Sequence, residues 1–144
     1  MLGYIGKEIT IMIDDASEKK KLLIVDDDEM CLTTAELFLG KEYEIHKMKS
    51  GEEALEYLGD KKFVPDIMLL DILMPNMDGW ELFKKIKKMD FLKNVPVVFL
   101  TSVREETDKK QAYKEGVADY ITKPFNMVDL TNRIRDVIKR YGTK

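Results

Sequence analysis

Three stretches of the chain are continuously apolar: Leu22 to Val25, Ile67 to Leu70 and Val97 to Leu100. Short uninterrupted apolar runs of this kind are expected of strands covered by helices on both faces, as in a parallel sheet. Two weaker strands are predicted at Tyr43 to Met48, whose mixed polarity suits an edge, and at Ala118 to Thr122. Between the strands apolar residues recur at helical spacing, predicting helices over about 29–39, 51–58, 79–89, 104–115 and 127–141. The last is the clearest, with Met127, Leu130, Ile134, Val137, Ile138 and Tyr141 on one stripe that core packing explains fully. Ser50 with Glu53 and Ser102 with Glu105 have capping-box spacing, and Asp28, Asp78 and Asn126 are placed to cap helices. Five βα units follow, which predicts an α/β fold with a doubly wound sheet and helices on both sides.

Composition adds bounds rather than chemistry. The 144 residues suffice for one domain that buries roughly two thirds of its unfolded surface. A net charge of −3 gives no reason to expect nucleic acid or a membrane as a direct partner. The single cysteine, Cys31, cannot form an internal disulfide, and a cytoplasmic location is expected. The opening stretch is interrupted by Lys7 and Glu8 and lacks a basic leader, so no signal peptide is expected. No stretch approaches the ~18 apolar residues of a membrane span.

The chemistry is concentrated where the strand runs stop. The first ends in Asp26 and Asp27, the third in Asp71, the fourth in Thr101 and the fifth in Lys123. In open α/β sheets ligands bind beyond the carboxyl ends of the strands, near the point where strand order reverses. An isolated Asp after a strand is as well explained by a turn or a helix cap, but coincidence at four strand ends is harder to dismiss. Three carboxylates gathered there would repel one another unless a cation joined them. Mg²⁺ suits such a set, because it takes a few carboxylate oxygens and shares its remaining positions with phosphate oxygens. A lysine and a threonine hydroxyl nearby would complete a phosphoryl site, and a carboxylate can itself be the nucleophile.

The segments LLIVDDD (22–28), LLDILMPNMDG (69–79), FLTS (99–102) and DYITKPF (119–125) resemble the receiver domains of two-component response regulators, in order and over about residues 20–141. The resemblance implies a flavodoxin-like, chemotaxis-regulator-like sheet of five strands in the order 2-1-3-4-5. It also implies Asp71 as phosphoacceptor, with Asp26, Asp27, Asp71 and the backbone carbonyl of Leu73 as the Mg²⁺ ligands. Thr101 and Tyr120 would be the switch residues, Lys123 the phosphoryl-contacting lysine, and Lys123–Pro124 a cis peptide. The implied partners are a sensor histidine kinase or histidine phosphotransfer protein and a downstream target protein. A homodimer is a further possibility: Lys109 with Asp129 and Asp119 with Arg133 match intersubunit charge pairs of receivers attached to winged-helix domains, although a solvated charged face explains them equally well.

Residues 21–144 are assigned to the receiver and 1–20 to an extension, in which Ile9, Ile11 and Ile13 alternate with Thr10 and Met12 as in an extra strand, a tail or a leader. His46, on the weak second strand, is read as packing rather than as a phosphoryl donor, and Cys31 as a small buried apolar residue. An aspartyl-phosphate hydrolase of the haloacid-dehalogenase type is disfavoured, because Leu73 stands where a second Asp would be required. A phosphorylation-independent interaction module would be natural only if acidic residues were missing. The chain leaves no room for an output domain after its fifth helix, so it is expected to act alone or to be part of a longer protein.

Overall fold

The structure, a computed structural model, describes residues 19–142. Five parallel strands, β1 (Lys20–Val25), β2 (Tyr43–Met48), β3 (Ile67–Leu70), β4 (Val97–Thr101) and β5 (Asp119–Thr122), form one sheet in the order β2-β1-β3-β4-β5. They alternate with α1 (Glu29–Leu39), α2 (Gly51–Lys61), α3 (Gly79–Lys87), α4 (Glu106–Lys114) and α5 (Met127–Tyr141). The fold and strand order are those expected.

Side chains alternate across a strand, so each strand feeds two cores. Leu22, Ile24, Ile67, Leu69, Val98, Leu100 and Ile121 meet α1 and α5 through Leu32, Ala35, Leu39, Leu130, Ile134 and Val137. Leu23, Val25, Met68, Leu70, Val97, Phe99 and Tyr120 face α2, α3 and α4 through Ala54, Leu58, Leu82, Phe83, Ile86 and Ala112. Burial on both faces accounts for the uninterrupted apolar runs of β1, β3 and β4. The second core is centred on Phe99, which packs edge-on against Trp80, Phe83 and Tyr120 at centroid distances of 5.0, 5.9 and 6.1 Å.

Four of the five helix starts carry the expected caps. Asp28 accepts from the Met30 N–H, Ser50 from Glu53, Asp78 from Glu81, and Asn126 from Val128 and Asp129. The exception is α4. It begins at Glu106 rather than 104, Ser102 does not cap it, and the N-cap residue Glu105 makes no side-chain capping bond. The preceding backbone is engaged elsewhere: the Val103 N–H donates to Thr101 Oγ1, and its carbonyl accepts from the Tyr120 hydroxyl. Only Ala112 of α4 is buried, whereas α5 buries Leu130, Ile134 and Val137. Helix α2 runs to Lys61, beyond the expected 58, and stops at Lys62 in the left-handed region with φ 48°. Helix α3 ends at Lys87, short of the expected 89.

Candidate functional site

The order of strands reverses between β1 and β3, and the hydrogen-bond ladder carries on past both strand ends. The Asp26 N–H donates to the Met48 carbonyl and the Asp71 N–H to the Val25 carbonyl, each at 3.0 Å, while the Lys123 N–H donates to the Thr101 carbonyl at 2.8 Å. The acidic residues, Thr101 and Lys123 are therefore held by the sheet itself, at the crevice where open α/β sheets bind ligands.

Asp26 and Asp71 are buried, at 1% and 7% exposure, and Thr101 is fully buried, whereas Asp27 faces solvent. One oxygen from each of Asp26, Asp27 and Asp71 lies within 4.8 Å of the others. The Lys123 ammonium reaches over both buried acids, 2.5 Å from Asp26 Oδ2 and 3.5 Å from Asp71 Oδ2. Asp26 Oδ1 accepts from the Asp28 N–H at 2.9 Å, and Asp71 Oδ1 from the Leu73 N–H at 3.3 Å. The Lys123–Pro124 peptide is cis.

Burial, followed by the negative charge of Asp26, raises the Asp71 carboxyl above its ordinary pKa. Lys123 and hydrogen bonds from the Thr101 hydroxyl and Leu73 N–H oppose that rise. Burial works against the Lys123 charge, but the bond to Asp26 and the surrounding negative groups outweigh it, so its pKa is raised too. One cation thus shares two buried acids, and Asp71 lacks full compensation. All three oxygen ligands are hard, and the set fits a small divalent cation such as Mg²⁺.

Tyr120 is 4% exposed, and its hydroxyl donates to the Val103 carbonyl at 2.7 Å. The Tyr120 side chain thus already points inward in this structure. Leu73 projects to solvent at 57% exposure beside Asp71. Asp119 and Arg133 do approach, at 3.1 Å, but within one chain; Arg133 also pairs with Asp129 at 3.1 Å, and Lys109 with Glu106 at 3.6 Å. His46 packs between Tyr57 and Phe63, away from the acids, with its ring nitrogens bonded to Tyr57 Oη and Glu44. Cys31 is buried as expected, and burial followed by a hydrogen bond to Asp26 pushes its thiol up to about 12.

Two neighbours of the site were not foreseen. The Arg104 guanidinium donates to the Lys123 carbonyl at 2.7 Å, tying the β4–α4 loop to the β5–α5 loop. The Tyr113 hydroxyl donates to Asp119 and accepts from the Tyr120 N–H. Both contacts join residues distant along the chain or read as surface polar groups, and no motif announces them.

The family model described as response regulator receiver domain matches residues 22–135. The chain belongs to the response regulator receiver family. This receiver is 40% identical over 98 residues to the heme response regulator HssR of Staphylococcus epidermidis, covering 68% of this chain and 42% of that protein. It is 35% identical over 138 residues to the phosphate regulon transcriptional regulatory protein PhoB of Pseudomonas aeruginosa, covering 96% and 54%. The chain thus spans about half the length of these curated relatives, or less. Among solved structures, the signal receiver domain of a signal transduction histidine kinase from Syntrophus aciditrophicus superposes with a TM-score of 0.76 at 28% identity, over 87% of this chain and 94% of that one. A two-component response regulator from Clostridium difficile gives 0.74 at 30% identity, over 84% and 97%. Receiver domains are not enzymes that turn over a separate substrate; they assist addition and loss of the phosphoryl group they carry. No helix among the described residues is long and apolar enough to cross a membrane.

Proposed function

We propose that this receiver takes a phosphoryl group onto Asp71 from the phosphohistidine of a sensor histidine kinase or phosphotransfer protein, in a Mg²⁺-dependent reaction in the cytoplasm. The observation that carries the reading is the buried Asp71 carboxylate, within reach of Asp26, Asp27 and the Lys123 ammonium. An Asp71 carboxylate oxygen forms the bond to phosphorus while the bond from phosphorus to the donor nitrogen breaks, and the imidazole leaves with that electron pair. Mg²⁺ held by Asp26, Asp27, Asp71 and the Leu73 carbonyl would supply the positive charge that three carboxylates require before a further anion approaches. Lys123 is placed to move from its two acids onto a phosphoryl oxygen, and the Thr101 hydroxyl to donate to another.

The relay runs through the face of α4, β5 and α5 to a downstream target protein. Helix α4 has little buried apolar surface, so small biases can shift it. Since Tyr120 is already inward, phosphorylation holds that arrangement through Thr101 and the 101–106 loop. The same face is available for a homodimer, but Arg133 must then exchange its bonds within the chain for bonds across the two-fold axis. Label from a phosphorylated histidine donor should reach this chain only with Mg²⁺ present. Undiminished transfer to Asp71→Asn would overturn the assignment. Hydrogen exchange over residues 101–120 should slow on phosphorylation, and an unchanged pattern would remove the relay. Light scattering tests the dimer: a phosphorylated protein that stays monomeric, or a dimer indifferent to Arg133→Glu, excludes it.

A further inference from the structure

Two hydrogen bonds reach the Lys123 backbone from the segment that joins β4 to α4. The Lys123 N–H donates to the Thr101 carbonyl at 2.8 Å, and the Lys123 carbonyl accepts from Arg104 Nη2 at 2.7 Å. The first bond continues the sheet, whose register ends with Thr101 opposite Thr122. The second lies beyond the sheet and is supplied by a side chain. Arg104 is exposed, in the wall of a groove it shares with Leu73, two residues beyond Asp71. A single bond at such a surface position adds little to global stability. Its consequence lies in the residue it holds.

Lys123 carries its charge at the end of a flexible stem. Its ammonium lies 2.5 Å from Asp26 and 3.5 Å from Asp71, and it has to leave those acids for one phosphoryl oxygen while the Thr101 hydroxyl reaches another. With the ladder bond alone, the lysine backbone is free to pivot about that bond. With its carbonyl held as well, Lys123 and Thr101 move as one body. We propose that Arg104 is a positioning residue for phosphoryl transfer, which fixes the Lys123 backbone relative to Thr101 so that ammonium and hydroxyl meet two oxygens of the same phosphoryl group. The inference rests on the reading of Asp71 as phosphoacceptor. Arg104 directly precedes Glu105, the N-cap of α4, so the same bond makes the start of that weakly anchored helix part of the lysine's support.

The test compares the native full chain with Arg104→Met, which removes the donor groups at similar length, and Arg104→Lys, which keeps a charged donor on a slightly shorter side chain. Amide exchange without a phosphodonor reads the tie itself. The Lys123 N–H should exchange at least about tenfold faster in Arg104→Met, with the β1 and β3 amides and the Tm unchanged, and Arg104→Lys should restore part of the protection. An unchanged Lys123 amide in Arg104→Met would overturn the proposal. Intact-mass labelling by a small-molecule acyl phosphate over a range of Mg²⁺ concentrations reads the consequence. The maximal labelling rate should fall about five- to tenfold in Arg104→Met and partly recover in Arg104→Lys. The Mg²⁺ concentration giving half that rate should stay the same, because Arg104 bonds the Lys123 carbonyl and not the three acids. Faster Lys123 exchange with undiminished labelling would make the tie merely structural and overturn the positioning role, as would an equal loss of rate in both variants. A native protein that takes no label on Asp71 would remove the phosphoacceptor reading and this inference with it, whereas one that labels as fast as Arg104→Met removes the positioning role alone.

Discussion

A glycine at the first position of α3 supports the phosphoacceptor by having no side chain. The Gly79 N–H donates to the Ile72 carbonyl at 2.8 Å, folding the β3–α3 loop back onto the strand end. A Cβ at Gly79 would stand 2.4 Å from the Asp71 carbonyl oxygen, 2.8 Å from Ile72 Cα and 3.0 Å from Asp71 C. All three are backbone atoms of the residue that carries the chemistry and its neighbour, so no flexible side chain can yield. Gly79→Ala should therefore force the loop off Asp71, at the ~1–3 kcal/mol typical of overpacking in a tight interior. Alanine's better helix propensity returns at most about 1 kcal/mol. The net should be a destabilisation of about 1–2 kcal/mol, lowering Tm by roughly 3–8 °C for a domain of this size. Gly59→Ala is the matched control. It lies inside α2, its Cβ would meet only Met89 Cε at 3.6 Å, and it should stabilise by about 0.5–1 kcal/mol. Urea unfolding of both variants in Mg²⁺-free buffer measures the difference, and phosphoryl labelling should be impaired only in Gly79→Ala. If Gly79→Ala is as stable as Gly59→Ala and labels normally, the close approach at Asp71 does not matter and the reasoning fails.

Burial and the Asp26 charge raise the Asp71 pKa, so the stability tied to this group is full below the unfolded carboxylate value of about 3.9 and is lost as pH rises through the raised folded value. Without Mg²⁺, Asp71→Asn should consequently melt above the native protein at pH 7 and lose that advantage as pH falls toward 4; a lower Tm at pH 7 would refute the electrostatic account. Lys62 holds a left-handed φ of 48° at the end of α2, and Lys62→Gly should raise stability by up to ~1 kcal/mol in urea titrations. Cys31, buried with its thiol pushed up to about 12, should resist a thiol reagent at pH 8 until the protein unfolds; fast modification of the native state would contradict its placement. By resemblance to other receivers, the exposed Leu73 and the half-buried Val103 would flank the approach of hydrolytic water, which neither side chain can orient by hydrogen bonding. Polar replacements at both positions should shorten the lifetime of the phosphorylated protein, and an unchanged decay rate would remove that explanation.

Apolar patterning made the sheet legible, because β1, β3 and β4 are buried on both faces and strand residues on one face need no partner of another type to be recognised. The helix caps at Asp28, Ser50, Asp78 and Asn126 are local interactions and were equally readable. Ser102 misled because local spacing knows nothing of tertiary bonds: Thr101 and Tyr120 engage the Val103 backbone, and the helix starts later. The acids and Lys123 were visible at strand ends, yet their convergence depends on β1 and β3 being neighbours, which follows from topology and not from spacing. Arg104 on the Lys123 carbonyl and Tyr113 on Asp119 could not be read, since each is a long polar side chain that reaches its partner only in the folded chain. Asp119, Asp129 and Arg133 also pair with one another within one chain, through contacts that their spacing did not announce. The extra strand suggested by Ile9 to Ile13 lies outside the described residues.

If Asp71 is the nucleophile, its neighbours make it one only with a divalent cation present. Intact-mass measurement of the full chain incubated with a small-molecule acyl phosphate tests it most directly. One phosphoryl group per chain should be gained in Mg²⁺, none with a chelator and none in Asp71→Asn. Undiminished labelling of Asp71→Asn, or labelling that ignores chelation, would contradict it.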